Sequence, residues 1–462
     1  FVGDVAEGGS PFDDKIAALT EGTGHQGLDP YWAAPLDKLS KPEARALVLE
    51  LAEDNPLGFR PGKGKGVVGK DTLLYFVMEQ KKLRPKQVLL IRVGEFYETY
   101  GVDALMMMDH AGLNRMGSVE IKAGCPRRNI QQTLDGLTAA GLTVAVYEEV
   151  NDVDASRGPG KKNGLKGRML SQVVSPGRPT YLYNVCLSNS DISFRESMPY
   201  IGIRATPPNG YTMVQVFVDE REVHVTERMT REALRVMVER DGAPEPAFSQ
   251  VGEEAFDFLP GYMECLTGYD ARDFPAQVVR RVAAILELPT VEDFQTIRGQ
   301  RAAALYHSTA TQIGLLPNLG TVPELVGCLL PRGYPAHSRR FLLRWLLNPP
   351  GPRLADHAQH LCRGLAELEV GLPTLRPVAV TKAKTALLAK QCNPPLFREI
   401  AQCAAGALAM LGTTQQTQTQ ALGKTPPPPL EGDAAGFQPW GGLAEGELAA
   451  APAAAEEEDG RA

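Results

Sequence analysis

Along residues 72–182 the apolar positions change period several times, and each change predicts an element. Thr72 to Lys82 carries Leu73, Leu74, Phe76 and Val77 at helix-like spacing. Val88-Leu89-Leu90-Ile91-Arg92-Val93 is nearly unbroken apolar sequence, which predicts a strand covered on both faces. Asp103 to Leu113 reads as a helix. Ile130, Leu134 and Leu137 recur at helical spacing up to Gly141, which suits a left-handed cap. Thr143 to Val150 and Arg168 to Ser175 return as strands, the second halted by Pro176-Gly177. Pro56 to Gly69 and Asp152 to Lys166 are Gly/Lys-rich loops. This alternation predicts α/β packing.

Farther along, Tyr200 to Ala205, Tyr211 to Asp219 and Glu222 to Thr226 read as consecutive strands, the first two joined through Pro207-Pro208-Asn209-Gly210. Helices are predicted over Thr230 to Glu239 and over 275–288, where Val278, Val279, Val282 and Ile285 form one stripe. From Arg301 the texture is helical, with an amphipathic stretch from Arg339 to Leu347 stopped by Asn348-Pro349-Pro350 and a further helix from Ala355 to Glu369. Residues 1–27 are Gly-rich and polar and predict no packed structure; Tyr31 to Glu53 is a short helical segment. Residues 413–462 hold a Gln/Thr run, four consecutive prolines, an Ala run and an acidic block, too little apolar surface to offset chain entropy. The predicted divisions are an amino-terminal extension at 1–71, an α/β domain at 72–184, a second domain at 185–300, a helical region at 301–412 and an unstructured tail at 413–462.

Composition narrows the class. A chain of 462 residues has room for two or three cores, and 43% hydrophobic with 22% charged residues is ordinary for globular protein. No apolar run approaches the roughly 18 residues that span a bilayer, and no secretory leader is evident. Because the first residue is Phe1, the natural start and any transit peptide are expected to precede it. The seven cysteines, Cys125, Cys186, Cys265, Cys328, Cys362, Cys392 and Cys403, include no CxxC pair, which points to a reducing compartment and away from a zinc module. The net charge of −7 is unevenly placed: residues 81–180 hold fifteen basic and ten acidic side chains, residues 411–462 two basic and eight acidic. The mildly basic stretch suits phosphate contact.

The chemistry centres on Gly94-Glu95-Phe96-Tyr97-Glu98, directly after the apolar strand. By periodicity alone Phe96 is a core ring and Glu98 a solvated turn residue. The cluster is followed in order by Ala123-Gly124-Cys125-Pro126, the helix around Leu134, the strand ending in Glu148-Glu149, and Val174-Ser175-Pro176-Gly177. This order resembles the mismatch-reading domain of the MutS family of DNA repair proteins, whose pattern is Gly–Asp–Phe–Tyr–Glu; Glu95 stands in place of the aspartate. Ala111-Gly112-Leu113-Asn114, Thr309-Ala310-Thr311-Gln312-Ile313-Gly314 with Leu316-Pro317, and Leu346-Leu347-Asn348-Pro349-Pro350 are similar to the plant organellar branch. The resemblance covers about residues 30–410.

That resemblance implies an α/β, multi-domain chain: a mismatch-recognition domain, a ribonuclease-H-like connector and the start of a helical core, or lever, domain. It implies that Phe96 wedges against a mispaired base from the minor groove and that Glu98 shares a hydrogen bond with the same base. A mismatched step is cheap to unstack and kink, one aromatic–base stack is worth about 1–3 kcal/mol, and a carboxylate repelled by phosphates makes sense only as a probe. The implied partner is double-stranded DNA with mismatches or loops, in mismatch repair or recombination surveillance, with a homo-oligomeric full-length protein in a plastid or mitochondrion. Full-length relatives couple recognition to ATP and magnesium; this chain, lacking an ATPase region and looking like a fragment or truncated gene product, is expected to hydrolyse no ATP and to hold no cofactor.

Other features carry less. Lys161, Lys162, Lys166 and Arg168, in and beside a polar loop, are the phosphate-backbone candidates. Arg339, Arg340, Arg344 and Trp345 could line a nucleic acid, but Leu342, Leu343, Leu346 and Leu347 among them favour domain packing. Gly64-x4-Gly69-Lys70 is a near miss for a phosphate loop, since Asp71 stands where a hydroxyl should bind magnesium; a nucleotide-binding enzyme is the first alternative. A scaffold that keeps the fold without DNA affinity is the second. His357, His360 and Cys362 lack a fourth ligand and read as helix surface. Asp219 follows a strand but has no companion acids, so a structural role is favoured over catalysis. No catalytic residue and no metal site are expected.

Overall fold

The computed structural model describes residues 10–21, 27–58, 72–117, 120–150, 167–182, 197–206, 210–250, 256–259, 263–266, 273–288, 294–299, 305–316, 320, 322–330, 336–349, 352–367, 383, 387 and 394–422. Of two compact units, Phe1–Leu411 and Gly412–Ala462, the first holds the architecture below.

Its first sheet contains β1 (Val88–Val93), β2 (Phe96–Tyr100), β3 (Lys122–Pro126), β4 (Val144–Glu149) and β5 (Arg168–Val174), in the order β3-β2-β1-β4-β5. β1 is antiparallel to β2 and parallel to β4. The period of two in a strand sorts its apolar run onto two faces. Val88 and Leu90 enter a core with helices α5 (Val102–His110) and α6 (Ile130–Ala139), while Leu89 and Ile91 enter a second core under helix α4 (Leu73–Leu83). Thr72 caps α4 by accepting the Tyr75 N–H at 3.3 Å.

A buried ion pair bolts three of these elements together. Lys81 Nζ, near the end of α4, donates to Asp103 Oδ1 in α5 at 2.6 Å and to the Gln87 carbonyl at 2.7 Å. The second Asp103 oxygen accepts the Leu89 N–H of β1 at 3.0 Å. The Trp32 ring covers the ammonium at 4.3 Å and donates its Nε1–H to the Pro85 carbonyl.

Trp32 belongs to an amino-terminal segment that differs from expectation. Residues 1–27 predict no packed structure, yet Pro11–Glu21 form helix α1, and Phe12 and Leu19 join the core of α5 and α6. Helices α2 (Ala33–Asp37) and α3 (Pro42–Val48) supply Leu36, Leu47 and Val48 to that core. Few apolar residues suffice there because the outer face of α5 is itself apolar and needs a cover. At the other end, helix Pro394–Leu422 runs into the stretch predicted to be unstructured, as its Ala, Leu and Gln content permits; residues 423–462 lie outside the described residues.

A second, six-stranded sheet has the order β10-β9-β6-β7-β8-β11, with β6 (Tyr200–Thr206), β7 (Gly210–Phe217), β8 (Glu222–Met229), β9 (Ala247–Ser249), β10 (Met263–Cys265) and β11 (Gln295–Gly299). β6 to β8 form the predicted antiparallel meander; the short β9, β10 and β11 all pair in parallel and carry too few residues to show a period. Helix Arg231–Asp241 covers one face and helix Phe274–Ile285 the other. Helices His307–Gln312, Leu325–Leu329 and Ala336–Leu347 build a small further core on Val236. The two sheets adjoin: Arg84 grips Glu287 through two bonds of 2.9 Å, and the Tyr200 hydroxyl donates to Ser175 Oγ at 3.0 Å.

Replacing Lys81 by Met leaves Asp103 buried without its counter-ion, and the chain is predicted to lose about 3–5 kcal/mol of stability. Urea unfolding checks this; a loss no larger than that of the exposed Lys82→Met would refute it.

Candidate nucleic-acid interface

The reading edge is a β-hairpin. Gly94 and Glu95 form a two-residue turn between β1 and β2, with Val93 paired to Phe96. Gly94 has φ +62, and a Cβ there would meet nothing within 4 Å, so the demand for glycine is purely conformational. The turn is pinned from outside: the Gly94 N–H donates to Glu149 Oε1 at 3.1 Å, and the Arg127 N–H donates to the Glu95 carbonyl at 2.9 Å.

Within β2 the alternation has a sharp consequence. Tyr97 and Thr99 point into the core, whereas Phe96, Glu98 and Tyr100 share the opposite face. Phe96 is 44% exposed, and every other residue of β2 is buried. A core assignment for this ring, the reading periodicity alone gives, therefore does not hold.

Glu98 is not a solvated turn residue either. It is 7% exposed, and Lys122 Nζ lies 2.7 Å from its Oε2 while the Tyr100 hydroxyl donates to the same oxygen at 2.9 Å. Burial and the Glu98 carboxylate together push the Tyr100 phenol upward.

On the far face, Glu148 anchors the hairpin. Its Oε1 accepts the hydroxyls of Tyr97 at 2.5 Å and Tyr181 at 2.6 Å, and its Oε2 accepts Arg92 Nη1 at 2.8 Å. Sequence reasoning placed Glu148-Glu149 only as a strand end. The signal for their role was an acid pair closing an apolar strand, where at least one carboxylate must turn inward.

The other sites expected from sequence divide. Arg168 lies beside the hairpin, but its Nε donates to the Arg92 carbonyl at 3.1 Å and its Nη2 to Glu149 at 3.2 Å, with its side chain only 5% exposed. It is a brace for the edge and not the exposed phosphate contact expected. Lys161, Lys162 and Lys166 lie outside the described residues, as does Gly64 to Lys70. Arg340 donates to the Ser197 carbonyl, Arg344 lies 5.5 Å over the Phe217 ring, and Arg339 pairs with Glu324, so this basic helix packs against its neighbours. His357, His360 and Cys362 lie along helix Pro352–Glu367, and among the described residues no cluster of His, Cys, Asp or Glu could hold a metal ion. Nor is any helix among them long and apolar enough to cross a membrane.

Known proteins resemble this chain over the first sheet and beyond it. Residues 72–182, which are α4, the first sheet and the segment through Tyr181, match the family description "MutS domain I". The mitochondrial DNA mismatch repair protein MSH1 of Arabidopsis thaliana is 29% identical over 384 residues, 79% of this chain and 34% of that protein. The DNA mismatch repair protein MutS of Protochlamydia amoebophila is 31% identical over 123 residues, covering 26% of this chain and 13% of the relative. That of Flavobacterium johnsoniae is 31% identical over 146 residues, covering 28% and 16%. The chain thus spans about a third of the length of the plant relative and less of the bacterial ones. Residues 72–182 carry the pattern of MutS domain I, and the matches support a MutS-family protein. The similarity to the mitochondrial plant protein extends far beyond domain I, which supports an organellar-like member of that family.

These surroundings set the expected response to substitution. Phe96→Ala should change stability by no more than about 0.5 kcal/mol, whereas Tyr97→Phe, which strips a donor from buried Glu148, should lower it by about 1–3 kcal/mol; equal urea midpoints for the two variants would contradict this. Asp219, just after β7, has a buried Oδ2 without a hydrogen-bond partner among the described residues, and burial, then Glu220, push its carboxyl up to about 7 against the pull of Arg178. A carboxyl raised on folding binds its proton more tightly in the native state, so stability falls as pH climbs from the unfolded value towards 7. Asp219→Asn should therefore raise Tm at pH 8 and leave it nearly unchanged at pH 4, and a gain confined to pH 4 would reverse the argument.

Proposed function

We propose that this chain is the DNA-reading portion of an organellar mismatch-repair or recombination-surveillance protein, and that it binds duplexes containing mismatched or looped-out bases. One observation carries the reading: a phenyl ring left outside its own core beside the exposed turn of a hairpin whose second strand is otherwise buried and braced. The Phe96 ring enters from the minor groove and stacks on a base whose step is already weak, because opening a well-stacked step costs several kcal/mol more. Glu98, on the same face two residues on, meets that base and not the backbone.

Lys161, Lys162 and Lys166 are the proposed phosphate contacts. The strand order β8-β7-β6-β9-β10 supports a ribonuclease-H-like connector, with the helices from His307 onward as the start of a helical lever. ATP and magnesium belong to the full-length protein, which we take to be homo-oligomeric and to reside in a mitochondrion or plastid.

The test is fluorescence anisotropy of the chain with a single-mismatch duplex and its matched counterpart at one ionic strength. Wild type should prefer the mismatch, and Phe96→Ala should lose about 5- to 150-fold of mismatch affinity, the equivalent of one aromatic–base stack of about 1–3 kcal/mol. Equal binding of both duplexes by wild type would overturn the proposal in favour of a DNA-inactive scaffold.

A further inference from the structure

Three cross-strand pairs line the reading face: Phe96 opposite Pro126, Glu98 opposite Gly124, and Tyr100 opposite Lys122. The middle pair is half empty. Because Gly124 has no side chain, the Glu98 carboxylate can lie across β3 and meet Lys122 on the diagonal. A Cβ on Gly124 would come within 2.7 Å of Met116 Sδ and 3.0 Å of the Tyr97 carbonyl, so the space above the glycine is taken by the Met116 thioether beside the Glu98 stem. Met116 is held there by its N–H, which donates to the Lys122 carbonyl at 2.7 Å.

Both cationic and hydroxyl partners fall on one oxygen. Oε2 of Glu98 takes Lys122 and Tyr100, while Oε1 has no protein partner among the described residues. A carboxylate gripped by one oxygen is fixed in orientation and presents the other as an acceptor. Its charge is also balanced, so its repulsion of DNA phosphates is small before any base is read.

We propose that Lys122 and Tyr100 are positioning residues that set mismatch discrimination: they hold Glu98 as a charge-balanced, single-acceptor probe beside the Phe96 ring. The inference rests on the reading of Phe96 and Glu98 given above. Without Lys122 the carboxylate becomes an uncompensated anion at the DNA surface and is free to rotate. Without the Tyr100 hydroxyl it keeps its charge balance and loses part of its orientation.

The experiment measures Kd for matched and single-mismatch duplexes with wild type, Phe96→Ala, Lys122→Met, Lys122→Arg, Tyr100→Phe, Glu98→Gln and the Glu98→Gln Lys122→Met double variant. Lys122→Met should weaken binding to both duplexes about 5-fold or more, the size of one charge-assisted contact, and should lower the mismatch preference. That loss should vanish in the Glu98→Gln background, and Lys122→Arg should recover the affinity. Tyr100→Phe should cut the preference about 3-fold or more with little change on matched DNA, because it removes a hydroxyl donor to the charged probe while Lys122 still balances that charge. An equal penalty for Lys122→Met in the wild-type and Glu98→Gln backgrounds would make Lys122 an independent phosphate contact and overturn the inference. So would an unchanged preference in Tyr100→Phe, which stands as a test even if Lys122→Met does not fold. If wild type shows no mismatch preference, or Phe96→Ala keeps it, the reading of the hairpin fails as well; if both behave as expected and only the Lys122 and Tyr100 variants are silent, the clamp alone is wrong.

Discussion

The bond from the Gly94 main chain to Glu149 closes a two-residue turn, and that turn sets the register of β2 against β1. Side chains alternate strictly along a strand, so a slip of one residue would carry Phe96 into the core and Tyr97 out of it. Such a slip would also remove the Tyr97 hydroxyl from Glu148, leaving a buried carboxylate short of a donor. Register and hydrogen bonding therefore enforce each other. The exposed ring is a consequence of a well-satisfied hairpin and needs no local instability to explain it.

Electrostatics at this edge follow the same pairing logic. Four carboxylates stand in or near the hairpin, a poor arrangement for a surface that approaches phosphate. Three of them have their own cation, Lys122 for Glu98, Arg92 for Glu148 and Arg168 for Glu149, while Glu95 is exposed in the turn. These pairs reduce the negative field at the edge, from which the Phe96 ring projects beside the exposed Glu95. The general basicity of residues 81–180 is in part consumed by these internal pairs, so a count of charges overstates what is free to meet DNA.

The hairpin is also mechanically connected to the second sheet. β5 begins at Arg168, bonded to Glu149 and to the Arg92 carbonyl, and ends at Val174 beside Ser175, which accepts from Tyr200 in β6. Leu170, midway, touches the core under α4 and the core under helix Phe274–Ile285. A displacement of the reading edge would thus be felt directly at the neighbouring sheet, through packed side chains and a short strand.

Local sequence determined a good deal. The apolar run at Val88–Val93, the helical spacing of Ile130, Leu134 and Leu137, and the strands read between Tyr200 and Thr226 declare their elements through local pattern, an unbroken run for the strand buried on both faces and a regular spacing for the helix. Gly94-Glu95-Phe96-Tyr97-Glu98 with its following blocks points to the MutS family without any coordinate, and the aromatic ring singled out there is indeed outside the core. What the sequence left open depends on partners distant in the chain. Packing of α1 on α2 and α3, the parallel pairing of β9, β10 and β11 with their neighbours, the internal engagement of Arg168, and the capture of Glu98 by Lys122 and Tyr100 all require segments that only folding brings together. A charged side chain carries no mark in its own neighbourhood that says whether it will face solvent or a counter-ion, and for Arg168 and Glu98 it was the neighbouring strands, meeting in three dimensions, that decided.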